Sequence, residues 1–127
     1  MKKCDLLIVT APVTDTDKPL QAPALIKSSI EQHGFVAYTD DLNWEFLKSN
    51  HPEHNFLKQY FAFNTTSDYN KIIVAEDYAA QTAKRITDTY DPKYIAVSVF
   101  TYQCQTFSML FAQHIKKIKP SIKIIFG

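Results

Sequence analysis

The side chains that could do chemistry in this chain are few and mostly isolated. His51 and His54 are spaced to share one helical face, but Pro52 disturbs that turn and no cysteine or third histidine lies near. A zinc site takes three or four ligands, so no metal role is expected of this pair. Cys104 precedes a helical pattern, where its thiol pKa would fall, or it is a packed free thiol, the preferred reading. Asp40 and Asp41 end a strand pattern, where an acidic residue holds a ribose in dinucleotide folds. Without a glycine fingerprint they are expected to be solvated loop carboxylates. Ser98 and Thr101 lie at the end of another strand pattern, with hydroxyls suited to a ligand's amides or phosphate, or to nearby backbone. Gln103, Gln105 and Thr106 open the next helix, whose free N–H groups suit an anion or amide oxygen, or plain capping. His33 and His114 are expected at the rim of the core.

The elements that must position these groups can be read in order. Residues 5–10 (DLLIVT) form a buried strand. Residues 11–21 form a polar loop, longer than a bare connection needs. A helix follows over 23–33, with proline at its start and Gly34 just past its end. Its expected inner face is Leu25, Ile26, Ser29, Ile30 and His33. A second strand covers 35–39. The middle, 42–66, is irregular and aromatic, with short helices expected over 43–49 and 52–61 and a satellite core from their rings. Asp68 caps a longer helix to about Tyr90, with Ile72, Ile73, Glu76, Ala79, Ala80, Ala83 and Ile86 inward. Ile72 to Val74 reads alternatively as a brief strand. Asp91-Pro92 signals a turn. Then come a strand over 94–100, a helix over 105–118 and a strand over 122–126.

A strand, a helix and a strand within about 35 residues make a right-handed βαβ unit. The whole alternation predicts one doubly wound, parallel α/β sheet, flavodoxin-like or Rossmann-like, in the order 2-1-3-4. Ligands of such sheets bind at the carboxyl ends of the strands, at the switch point between the first and third. That edge carries the cofactor-binding candidates: Thr10, Ala11, Pro12 and Val13 after the first strand, Ser98, Val99, Phe100, Thr101 and Gln105 after the third, and Gly127 after the fourth. With a fifth strand missing, the fourth would leave an edge open to another chain.

The totals exclude several classes. The net charge is +1, from 14 basic and 13 acidic residues, which predicts neither nucleic acid nor an anionic membrane as partner. No apolar run approaches the length of a transmembrane helix. Met1-Lys2-Lys3 is basic, but Asp5 and the strand pattern after it do not make a signal peptide, and two cysteines suit a reducing cytoplasm. Only two glycines occur, which rules out G-x-G-x-x-G and Walker-type loops.

The segments D-L-L-I-V-T-A-P, H-G-F-V-A-Y-T-D-D-L-N, D-P-K-Y-I-A-V-S-V-F-T and I-K-K-I-K-P-S-I-K-I-I-F-G together resemble the N-terminal cobalamin-binding domain of radical S-adenosylmethionine enzymes. The most specific parts are Val97 to Thr101 and Lys116 to Gly127. The resemblance covers four of the five strands of such a domain. It implies cobalamin as cofactor and a role in methyl transfer or related radical chemistry. S-adenosylmethionine and a 4Fe-4S cluster would belong to a C-terminal radical domain, the implied partner, outside this sequence. No catalytic residue is implied here. The D-x-H-x-x-G motif that supplies a lower cobalt ligand in other cobalamin domains is absent: the loop reads Thr14-Asp15-Thr16-Asp17-Lys18-Pro19. The corrin's lower face would then meet apolar or weakly polar side chains. The alternatives are a flavodoxin-like flavin-binding domain and a non-catalytic interaction or regulatory domain. A phosphorylated receiver is poorly matched, because its acidic positions read Thr10-Ala11-Pro12 and Phe100-Thr101-Tyr102.

Overall fold

The computed structural model describes residues 1–14 and 21–127. The predicted loop over 11–21 therefore lies mostly outside the described residues. Four strands, β1 (Lys2–Thr10), β2 (Ala37–Asp41), β3 (Tyr90–Ser98) and β4 (Lys123–Phe126), form one sheet in the order β2-β1-β3-β4. Every pairing is parallel. Among the described residues, five α-helices connect them: α1 (Gln21–Gln32), α2 (Leu42–Leu47), α3 (His54–Phe63), α4 (Tyr69–Thr89) and α5 (Gln105–Ile118). This is the predicted α/β architecture, consistent with a flavodoxin-like or Rossmann-like fold.

The crossovers explain the layers. The chain steps one way from β1 to β2 and the other way from β2 to β3 and β3 to β4. Right-handed crossovers then put α1 on one sheet face and α4 and α5 on the other. Leu7, Val9, Ile95 and Val97 pack on the α4–α5 face with Phe107, Phe111 and Ile115 in one core. The aromatic middle is part of that core rather than a satellite. Phe46 and Phe61 are fully buried, and the Phe61 and Phe107 rings meet edge-on at 5.3 Å.

Several boundaries and faces differ from expectation. β1 starts at Lys2, so Cys4 lies within the strand, opposite Pro92. β3 likewise starts at Tyr90, so Asp91-Pro92 is strand, not turn. Proline is tolerated there because it sits in the strand's first residues, where a missing N–H costs little. β3 ends at Ser98, two residues before the expected end, and β2 is displaced to Ala37–Asp41. α4 is a helix throughout, and its buried face is Ala75, Ala79, Thr82, Ala83, Ile86 and Thr87. That rotation places Glu76 at the boundary, where it bonds His114 Nε2 at 2.7 Å. The expected inner face of α1 is mostly uncovered: Leu25 is 67% and Ile26 43% exposed, Ser29 and His33 are exposed, and only Ile30 of the five is half-buried. Gly34 follows α1 at φ +85°, the left-handed conformation that glycine adopts without strain.

Candidate functional site

The carboxyl edge of the sheet is built by strand register. Thr10 and Ser98 are direct neighbours at the ends of β1 and β3. Ala11 N–H then donates to Ser98 O at 3.3 Å, and Val13 N–H to Gln103 O at 3.4 Å. Cys104, fully buried, turns its Sγ to Val13 O at 3.7 Å. Thr14 N–H donates to Asn43 Oδ1 at 3.0 Å, and Asn43 Nδ2 returns a bond to Thr14 Oγ1 at 2.8 Å. Asn43 is itself buried at the start of α2, so these bonds satisfy groups that would otherwise be stranded. On the other side, Val99 N–H bonds Gly127 O at 2.7 Å and Gly127 N–H bonds Val97 O at 3.1 Å.

The candidates thus separate into two sets. Thr10, Ala11, Pro12 and Val13 are buried and form a floor. Ser98, Val99 and Thr101 are half-buried, while Phe100, Gln105 and Gly127 are exposed. Phe100 is 60% and Tyr102 66% exposed, so two aromatic side chains stand open just beyond β3. A cleft of about 230 Å³ is lined by Val13, Lys58, Gln59, Ala62, Phe63 and Gln103. That is below the range of about 300–1,000 Å³ usual for an enclosed ligand site. The edge therefore offers an open surface with exposed aromatic side chains and scattered hydroxyl and amide groups. Tyr102 and Phe63 were not among the sequence candidates. An aromatic residue in the loop directly after a strand end was the available signal for Tyr102.

The described part of the first loop has no anion cradle. The N–H groups of Ala11, Val13 and Thr14 are all spent on protein acceptors. A phosphate nest needs such groups free. Among the described residues, no three His, Cys, Asp or Glu side chains converge to hold a metal ion.

Asp40 and Asp41 are engaged rather than merely solvated. Asp40 accepts from Arg85 Nη2 at 3.0 Å and from Tyr90 Oη at 2.9 Å. Asp41 caps α2 by accepting from Trp44 N–H at 2.9 Å. Burial works against the Arg85 charge, but Asp40 and Glu45 more than offset it and raise its pKa. Tyr90 is pushed up to about 12, first by burial and then by Asp40. This cluster ties β2, α2, α4 and β3 together.

A larger concavity, about 670 Å³, lies at the opposite, amino edge and includes Cys4, Asp91, Lys93 and Lys119. Its carboxylates are paired, Asp5 with Lys93 and Asp91 with Lys119. Burial, then Asp5 and Asp91, push the Cys4 thiol up to about 11, so it is no nucleophile at neutral pH. Size alone does not make that cleft the functional site, and the switch-point edge remains the better candidate. No family model, curated protein or solved structure matches this chain. Among the described residues, no helix is long and apolar enough to cross a membrane.

Proposed function

We propose that this chain is a cobalamin-binding module that works with a radical S-adenosylmethionine domain. The observation that carries this reading is the pair of exposed aromatic side chains, Phe100 and Tyr102, just past β3 in the stretch that also holds Ser98, Thr101 and Gln105. A corrin has a broad, flat body rimmed with amides. Such a ligand fits open aromatic side chains with scattered hydroxyl and amide partners better than a tight anion cradle. Phe100 and Tyr102 would pack against the macrocycle. Ser98, Thr101 and Gln105 would meet its amides. The buried Thr10–Val13 floor would keep water from beneath. When bound, cobalamin supplies the carrier for a methyl group. The residues of this chain bind and orient; S-adenosylmethionine and the 4Fe-4S cluster would be held by the partner domain, and no residue here is assigned as a cobalt ligand.

Flavin mononucleotide is less well served, because the first-loop amides at Ala11, Val13 and Thr14 are already bonded. A non-catalytic interaction domain is favoured by one observation, the uncovered apolar surface on both sides of β4. Equilibrium dialysis and visible absorbance with hydroxocobalamin separate these readings. Weak binding is expected, because the surface is open and only partly preorganised. Phe100→Ala combined with Tyr102→Ala should weaken it about tenfold or more. No retention of cobalamin by the folded chain, or a flavin that copurifies with it, would overturn the proposal.

A further inference from the structure

The lysines of this chain are unevenly placed. Lys3, Lys93, Lys119 and Lys123 line the cleft of about 670 Å³ at the amino edge of the sheet, with only Asp5 and Asp91 as opposing charges. The cleft thus holds two positive charges in excess, on a chain whose whole net charge is +1. Both carboxylates are already engaged. Asp5 takes Lys93 at 3.1 Å on one oxygen and the Val36 N–H at 2.9 Å on the other, and Asp91 takes Lys119. Among the described residues, Lys3 and Lys123 are left without an ion pair of their own. Lys123 lies instead over the Tyr94 ring, 5.6 Å from its centroid.

We propose that this cleft binds a small diphosphate ester, by class a nucleoside diphosphate, with its phosphoryl groups between Lys3 and Lys123 and its ring against Tyr94. The register sets the span. Lys3 stands opposite Asp91 and Lys123 opposite Tyr94, on the two sides of β3. That offset along β3, with one strand to each side, puts their α-carbons about 14 Å apart. Flexible lysine stems rising from the sheet close part of the gap, so two linked phosphoryl groups bridge the ammoniums with less bending than one would need. Lys93 and Lys119 keep N–H donors beyond those given to the aspartates, and these can turn to the same oxygens. Tyr94 is 39% exposed, and with Val36 and Pro92 it gives the cleft an apolar wall for a planar ring.

The surroundings agree with an anion. α5 ends at this edge, and a helix carbonyl end repels negative charge. Here those carbonyls are covered: Lys119 N–H bonds Ile115 O at 2.8 Å, and Lys116 Nζ reaches Pro120 O at 3.0 Å and Ile122 O at 2.7 Å. A divalent cation is poorly served, because both aspartates are neutralised. The volume falls within the range of about 300–1,000 Å³ usual for small-molecule sites. None of the carboxyl-edge candidates lines this cleft, so the inference stands apart from the cobalamin reading.

Isothermal titration calorimetry of the purified chain with ADP, at about 50 mM salt and without divalent cations, should give a Kd on the order of 10 µM. Inorganic pyrophosphate should bind more weakly than ADP, and AMP and inorganic phosphate about tenfold or more below ADP. Raising the salt to about 300 mM should weaken ADP binding severalfold. Lys3→Ala and Lys123→Ala should each weaken it about tenfold, as loss of one charge-assisted contact does. Lys117 is exposed near the end of α5 and does not line the cleft, so Lys117→Ala removes the same charge as a control. It should change ADP affinity less than about twofold. Tyr94→Ala should bring ADP down to the affinity of pyrophosphate. Lys3 and Lys123 are exposed, so their variants should keep the parent's melting temperature. No binding of ADP or pyrophosphate up to about 1 mM would overturn the proposal. So would binding indifferent to both cleft lysines, or equally weakened by Lys117→Ala, which is general attraction of anions. Phosphate and AMP binding as tightly as ADP would likewise overturn the diphosphate assignment.

Discussion

Asn43 is a small residue with a large structural task. It is 4% exposed and satisfies both the amide and the hydroxyl of Thr14, so it holds the first-loop floor in place. Asn43→Ala would leave two polar groups buried without partners. It should cost about 1–3 kcal/mol in urea unfolding and speed exchange of the Thr14 amide. An unchanged midpoint would mean that water replaces the side chain. Nothing in the sequence marked Asn43: an asparagine after Asp40-Asp41 reads as ordinary turn composition, and its partner lies 29 residues away. The same holds for Asp40, whose ties to Arg85 and Tyr90 span 45 and 50 residues. Long-range polar pairs leave no periodic trace, which is why the carboxylates were legible as strand-end residues but not as members of a network. The strand-end candidates themselves were legible, because parallel topology alone brings Thr10 and Ser98 together. Whether each would be buried or open depended on how α3 and the turn at Tyr102–Cys104 settle over the edge.

At the scale of elements, α5 was legible to the residue because its signals agree. An apolar stripe runs through Phe107, Phe111 and Ile115, lysines close its last turn, and Pro120 follows. α1 shows the limit of the same reasoning. Its apolar residues have helical spacing, and the helix forms, yet only Pro23 is buried in it. Periodicity reports that a helix has an apolar side; it does not report what covers that side. Asp91-Pro92 failed for another reason, since a proline at the start of a strand obeys the same local rules as one in a turn. The contrast between the helices can be measured. Leu25→Glu on α1 should change stability by no more than about 0.5 kcal/mol, as an exposed substitution does. Phe107→Ala on α5, at a fully buried ring, should cost about 3–5 kcal/mol. If Leu25→Glu were as costly as Phe107→Ala, α1 would be packed inward in solution and the open face would not exist.

For the whole molecule, the titrating groups set a window of stability with two different walls. Asp5 has its pKa lowered by the Val36 N–H and by Lys93, and Asp91 by Lys119. A carboxylate with a depressed folded pKa stabilises fully above its unfolded value and loses that contribution as pH falls through the folded one. Stability should therefore decline below about pH 4. On the alkaline side the sign reverses. Cys4 is raised to about 11 and Tyr78 and Tyr90 to about 12, in each case first by burial. A raised acid keeps its proton longer in the folded state, so its contribution is whole below the unfolded pKa and disappears as pH rises through the folded one. The thiol's contribution starts to fade near 9 and the phenols' near 10, the values from which they are raised. Melting temperature should be flat from about pH 5 to 9 and fall on both sides. Cys4→Val removes one alkaline group without opening a cavity of consequence, so its melting temperature should fall less steeply between about pH 9 and 11 than that of the parent chain. Identical alkaline slopes would place the Cys4 thiol in water rather than in the strand, and the early start of β1 at Lys2 would have to be abandoned with it.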